Sequence, residues 1–257
     1  MHQLVFIHQD ASLADSVQVE PFTTIYEDVE IGEGSWIGSN VTIFPGTRIG
    51  KNCKIFPGAV IGAIPQDLKF EGEYTKVIIG DNTTIRECVT IHRATKARKI
   101  TSVGKNCLIM AYVHIGHDSY IGNNVIIANS CSIAGHVTVG NFVVLEGLVA
   151  VQQFVNIGDH AFVAGASLVR KNVPPYVKAA REPLSYIGVN TIGLKRHEFL
   201  NESIRHIEDI YRVLFIHNKN VTIGVEQIIS EIDNSEYKKS ILDFIKKSDK
   251  GIIKGII

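Results

Sequence analysis

Aliphatic residues recur along this chain at every sixth position. From Ile7 they run through Leu13, Val19, Ile25, Ile31, Ile37, Ile43, Ile49 and Ile55 to Ile61. The same beat returns from Ile109 through Ile115, Ile121, Ile127 and Ile133 to Val169. Glycine often follows, as at Ile31-Gly32 and Ile61-Gly62. Four residues after each aliphatic stands a small or β-branched residue, such as Val41, Cys53, Val125 or Val137. A period of six is neither the 2 of an ordinary strand nor the 3.6 of a helix. It predicts a parallel β-helix, in which each hexad forms one flat side with the aliphatic residue inward and glycine easing the turn. Three hexads close one triangular coil, so residues 18 apart stack at roughly 4.8 Å. One coil cannot bury its own interior; stacking closes the core.

The beat breaks twice. Residues 63–77 carry I-P-Q-D-L-K-F-E-G-E-Y-T-K before Ile79-Gly80, and residues 94–102 carry T-K-A-R-K-I-T before Val103-Gly104. Both are expected to leave the coil as surface loops, where function concentrates. The repeat ends at Val173-Pro174-Pro175. Beyond Gly188 the spacing turns helical: Ile204, Ile207, Ile210, Tyr211, Leu214 and Phe215 form one stripe, with Asn201 as the expected N-cap. Val225, Ile228, Ile229 and Ile232 form a second stripe, and Tyr237, Ile241, Leu242, Phe244 and Ile245 a third; all three are expected to be helix–helix core. The division is therefore a β-helix over 1–188 and a small C-terminal α-helical domain over 189–257, covering the end of the β-helix.

Composition narrows the function. The 26 basic and 26 acidic residues balance, which points away from nucleic acid and membrane surfaces while leaving room for a local basic patch. The N-terminal stretch lacks the features of a signal peptide, and no run reaches the roughly 20 apolar residues of a membrane span. A cytoplasmic protein without stable membrane insertion is expected. Of the four cysteines, Cys53, Cys107 and Cys131 fall at the small inward phase, and no C-x-x-C pair exists. They read as wall residues rather than redox or metal groups.

Chemistry gathers around A-Y-V-H-I-G-H-D, Ala111 to Asp118. The 18-residue rule places His117, Gly135 and Gln153 in one column and Asp118 with His136 in the next, with His114 three residues before His117. Three readings stay open from the residues alone. Three histidines can bind zinc. An imidazole, with an ordinary pKa near 6.5, can act as a general base beside an oxyanion donor, and Gly135 has no side chain to block approach to its N–H. Or the histidines are surface residues with no role. In an extended strand neighbours point to opposite faces, so direct contact between Asp118 and His117 is not expected. Ser119, Cys107 and Cys131 face inward, and neither G-x-S-x-G nor a phosphate-binding glycine loop is present. Direct transfer between two bound substrates is therefore preferred to a covalent intermediate.

H-I-G-H-D (His114–Asp118), I-A-G-H-V (Ile133–Val137), I-P-Q-D-L-K (Ile64–Lys69), V-T-I-H-R (Val89–Arg93) and G-V-N-T-I-G-L-K-R (Gly188–Arg196) resemble the UDP-N-acetylglucosamine acyltransferase family over essentially the whole chain. The resemblance implies a left-handed coil, an exception to the usual right-handed crossover. It implies transfer of an R-3-hydroxyacyl group from acyl carrier protein to the 3-hydroxyl of UDP-GlcNAc, the first step of lipid A synthesis. It implies a homotrimer with sites between subunits. No cofactor or metal is implied, because phosphopantetheine arrives on the carrier protein. Carried over by residue, His117 is the general base, the Gly135 N–H the oxyanion donor, and Asp118 orients or tunes the base. Asp67, Lys69, His114, His136 and Gln153 match sugar-nucleotide or acyl-chain contacts, Asn190 and Arg196 match nucleotide contacts, and Gly165 matches the position that limits acyl length, where glycine leaves room for a long chain. Gln152, Ile192 and His197 depart from the family pattern, which commonly has histidine, an acidic residue and arginine there. Arg170, Lys171, Lys178, Arg181, Lys195 and Arg196 are the expected basic rim for an acidic carrier protein. Competing classes are a sister enzyme acylating a sugar amine, which usually carries an N-terminal uridine-binding domain that hexads starting by Ile7 leave no room for, a zinc-dependent β-helix hydrating carbon dioxide through His114, His117 and His136, and a non-catalytic scaffold.

Overall fold

An isoleucine or valine at every sixth residue is shielded from water only if three short flat sides enclose it. The computed structural model, which describes residues 4–218 and 220–255, has that arrangement. Most strands are two residues long, and they stack in three sheets of nine, eight and ten strands among the described residues, parallel except for the last strand of the third. The sheets are the faces of a triangular prism, wound as a left-handed parallel β-helix. The hexad aliphatics from Ile25 to Val169, and the small phase at Val41, Cys53, Val125 and Cys131, are buried inside. In the first described coil Ile7, Leu13 and Val19 are half-buried.

Coils register by 18 wherever the repeat is unbroken, as in His114↔Ser132 and Ile126↔Val144. Across the first interruption the partners are Val60↔Thr90, 30 apart, so 30 − 18 = 12 residues leave the coil. Across the second they are Thr90↔His114, 24 apart, so 24 − 18 = 6 leave it. Both excursions are multiples of six, which keeps every later aliphatic facing inward. Strand structure resumes at Lys76 and Ile100, inside the two stretches read from sequence as loops.

Each edge of the prism turns through a residue in the left-handed region, such as Asp118 (φ 58°), Asn124 (φ 56°) and Ser130 (φ 59°) in one coil. Asparagine holds this place at 52, 82, 106 and 124 along one edge, since its side chain tolerates that conformation better than most.

The repeat does not stop at Pro175. Val177–Ala180 adds one more parallel strand beside Phe162–Val163, and Ser185–Val189 folds back antiparallel on it. Helices follow: α1 (Thr191–Arg196), α2 (Asn201–Arg212) continued by a π-helical turn (Val213–His217), α3 (Val221–Glu231) and α4 (Glu236–Lys246). Asn190, Asn220 and Ser235 cap α1, α3 and α4 by accepting from backbone N–H groups. Asn201 does not cap α2; it is the first helical residue, and Leu200 precedes it with no side-chain bond. The first apolar stripe is buried throughout. In the second, Ile228 is buried but Ile229 is 59% exposed, and in the third only Ile241 is fully buried. Tyr211 Oη donates to the Pro175 carbonyl at 2.6 Å, and the chain end returns to bridge Asn172 and Ser185, so helices and prism are stitched together. The outer limits of the two expected regions, residues 1 and 257, lie outside the described residues. Among the described residues no helix is long and apolar enough to cross a membrane.

Candidate active site

The edge between the first and second sheets is built from Gly116-His117-Asp118, Ala134-Gly135-His136 and Gln152-Gln153-Phe154, one triplet per coil. His117, Gly135 and Gln153 line one groove, as the column arithmetic predicts. With them are His92, His114, Gln66, Gln152 and Arg170, around a space of about 540 Å³.

His117 and Asp118 are in direct contact, contrary to the expectation from extended geometry. Asp118 Oδ2 lies 2.7 Å from His117 Nδ1. The reason is the edge itself: Asp118 sits at φ 58°, not in a strand, and this turns its carboxylate back toward its neighbour. A carboxylate can only accept, so Nδ1 carries the proton and Nε2 presents a lone pair to the groove.

Asp118 is fully buried. Burial alone would raise its pKa, yet bonds from His117, the Thr95 hydroxyl and the Arg98 and Thr95 N–H groups outweigh it and hold the carboxyl below its ordinary range. Those donors reach it at 2.8 Å from Thr95 Oγ1, 2.9 Å from Arg98 N and 3.1 Å from Thr95 N. They all come from the second excursion.

Gly135 lies directly against the imidazole. A Cβ built on it would be 2.6 Å from His117 Nε2, closer than side-chain carbons approach other atoms. At the neighbouring edge the equivalent backbone N–H groups are capped from the coil above: Lys105 N donates to Asn123 Oδ1, and Asn123 N to Asn141 Oδ1. Glutamine follows Gly135 in its column, and the Gly135 N–H makes no hydrogen bond among the described residues. Nε2 and a free amide thus share one opening.

The first excursion brings Asp67 to the same place, with Oδ2 4.0 Å from His117 Nε2. Lys69 follows it and is exposed. His136 packs edge-on to His117 at 5.1 Å between centroids and stacks on Phe154. Burial is the main reason its pKa is depressed.

The third histidine goes elsewhere. His114 Nδ1 pairs with Thr90 Oγ1 at 2.8 Å, and its ring packs on His92. His114, His117 and His136 therefore do not converge as a zinc triad. The groups close enough to share an ion are His117, Asp118 and His136, and in that set the Asp118 oxygens already accept several protein donors. His92 is pushed down to about 4, first by burial and then by the nearby charges of His114 and His117; burial also lowers His114. Both are neutral linings at neutral pH.

Asn190 and Arg196 do not line this groove. The Asn190 side chain caps α1 and donates to the His160 carbonyl at 2.9 Å, on the edge between the second and third sheets. Gly165 lies on the remaining edge, its N–H donating to Glu146 Oε2. Of the departures from the family pattern, Gln152 lines the groove, Ile192 is exposed, and His197 packs on Phe142 and His160. The expected basic rim divides. Arg170, Lys171 and Arg181 gather with Lys254 around a second cavity adjoining the groove, where Glu182 pairs with Arg170 at 2.8 Å. Lys178 instead lies over Phe162. Sequence reasoning passed over Gln66, Thr95 and His92 as site residues, although His92 stands in the quoted V-T-I-H-R.

A hexad prism with an imidazole–carboxylate pair and a free amide on one edge defines a hexapeptide-repeat acyltransferase. Profiles of hexapeptide-repeat transferases match residues 28–63 and 100–135, and one described as "Udp N-acetylglucosamine O-acyltransferase; Domain 2" matches 172–253. The acyl-[acyl-carrier-protein]–UDP-N-acetylglucosamine O-acyltransferase of Sulfurovum is 44% identical over 98% of this chain and 96% of its own. The chain belongs to the UDP-N-acetylglucosamine acyltransferase family. The Bacteroides fragilis member superposes with a TM-score of 0.95 at 41% identity, covering 99% of this chain and all of that one. The Francisella novicida member gives 0.94 at 40% identity, covering 98% and 93%.

Proposed function

We propose that this acyltransferase moves an R-3-hydroxyacyl chain from acyl carrier protein to the 3-hydroxyl of UDP-GlcNAc by direct transfer, the first step of lipid A synthesis. The observation that carries the reading is His117 Nε2, free for a proton, beside the unbonded Gly135 N–H. Nε2 takes the hydroxyl proton as the sugar oxygen attacks the thioester carbonyl carbon. The carbonyl oxygen becomes an oxyanion and accepts from the Gly135 N–H. Collapse breaks the C–S bond, and the pantetheine sulfur leaves with the proton that His117 has held. Asp118 stabilises the imidazolium in between. No cofactor enters these steps, since the phosphopantetheine belongs to the carrier protein.

Asp67, Lys69, His114, His136 and Gln153 contact the sugar nucleotide or the acyl chain. Gly165, on the edge where the chain turns into the first sheet, leaves room for a long acyl group. Arg170, Lys171, Arg181 and Lys254 offer a basic approach to an acidic carrier. The protein works in the cytoplasm as a homotrimer, in which Asn190 and Arg196 of one subunit reach the nucleotide held at His117 of another; their placement on a different edge from His117 supports this.

The test is an acyl-transfer assay with UDP-GlcNAc and acyl carrier proteins of graded chain length. His117→Ala is expected to fold normally and lose about two or more orders of magnitude in rate. Turnover within a few-fold of the parent would defeat the assignment.

A further inference from the structure

The groups around Asp118 are more numerous than holding an imidazole requires. The six residues extruded at 94–99 form a tight turn, closed by the Lys99 N–H donating to the Thr95 carbonyl at 2.9 Å. Thr95 Oγ1 accepts from the Ala97 N–H at 3.2 Å. That leaves its own proton for Asp118 Oδ2, 2.8 Å away, the same oxygen that receives His117 Nδ1–H. Arg98 adds its backbone N–H to Oδ1, and its guanidinium donates to the Asp118 carbonyl at 2.9 Å. On the outside, Lys96 N–H donates to Glu73 Oε1 at 2.8 Å, which ties this turn to the longer excursion carrying Asp67. Tyr74 Oη, next along that excursion, donates to Asp28 at 2.8 Å and anchors it to an earlier coil.

We propose that Thr95 is a positioning residue for the His117 base: its hydroxyl, oriented by Ala97, fixes the Asp118 carboxylate in the one rotamer that receives Nδ1–H and leaves Nε2 facing Gly135. The 94–99 turn then belongs to the catalytic apparatus through its bonds to Asp118. It also sets how strongly Asp118 pulls on the imidazole. Each donor to the carboxylate takes up some of its negative charge, so removing one leaves more of it for His117 and favours the protonated ring.

The inference rests on His117 acting as the base, and the measurements separate the two claims. Thr95→Val keeps the shape and the backbone N–H but removes the hydroxyl; Thr95→Ser keeps the hydroxyl. Thr95→Val is expected to lower kcat about tenfold with KM nearly unchanged, the loss of one bond to a charged group. The acid limb of its kcat/KM profile moves to higher pH by about half a unit or more, and Thr95→Ser restores both. The His117 ring is followed in parallel by NMR titration, which needs no turnover, and its midpoint moves in the same direction in Thr95→Val. If Thr95→Val does not fold, Thr95→Ala carries the same comparison. A midpoint within about 0.2 pH unit of the parent together with a kcat within twofold in the hydroxyl-less variant would overturn the proposal, as would Thr95→Ser behaving like Thr95→Val. A parent enzyme inactive on UDP-GlcNAc, with the titration shift intact, would instead sink the functional reading and leave the positioning role standing.

Discussion

Gly135 is where a single atom decides the chemistry. A methyl group there would sit 2.6 Å from His117 Nε2 and 2.7 Å from Cε1. The ring cannot yield by bending, because Asp118 pins its other nitrogen. Gly135→Ala is therefore expected to keep the prism, whose inward residues it does not touch, yet lose about two orders of magnitude in kcat by displacing the base and crowding the amide. Circular dichroism and thermal melting check the first part, and acyl transfer the second. His117, Gly135 and Gln153 were placed together by counting in eighteens. The His117–Asp118 contact was not legible in the same way. Strand alternation says neighbours diverge, and only the left-handed backbone at Asp118 reverses that. A count of residues carries no φ angle.

At the scale of elements, the coils were readable and the excursions were not. Hexads encode burial directly, so the buried aliphatics follow from sequence alone. Thr95 and Arg98 lie outside any period, and their bonds to Asp118 depend on how a six-residue turn folds back over the coil above. The helices were half legible: α2 shows its stripe, but its cap slipped by one residue, and Ile229 on α3 faces solvent. The second edge offers a test of its own. His160 stacks on Phe142 and meets His197 and Phe199, joining the prism to α1 and the segment after it. Burial first, then the charge of His197, pushes its pKa down to about 4. A histidine neutral in the fold but protonated when unfolded binds more protons in the unfolded state between about pH 4 and 6.5. Stability from this group is thus complete above about pH 6.5 and falls as pH drops toward 4. His160→Gln, which cannot protonate, is expected to show a smaller drop in Tm between pH 7 and pH 5 than the parent. Equal drops would remove His160 as the cause.

At the scale of the whole molecule, one chain does not gather every expected site residue. His117 and Asp67 share one edge, whereas Asn190 and Arg196 belong to the next. A three-fold arrangement of prisms can set the second edge of one copy against the first edge of another. Sedimentation is expected to give a trimer. Mixing inactive His117→Ala with a binding-defective Arg196→Ala in one refolded or co-expressed assembly is expected to restore up to about a third of the parent rate, because some clefts then hold both intact residues. Mixtures no more active than either variant alone would rule out a cleft that takes His117 from one subunit and Arg196 from another.

The two excursions leave the prism after whole multiples of six, and this makes the length of the chain a quantised variable. A single residue gained or lost within a coil would turn every later aliphatic side chain outward, whereas twelve residues depart at one edge and six at the same edge one coil later without disturbing the core above them. The prism can therefore be elaborated at its edges in whole hexads and almost nowhere else, and it is from such additions that Asp67 reaches the imidazole and Thr95 the carboxylate behind it.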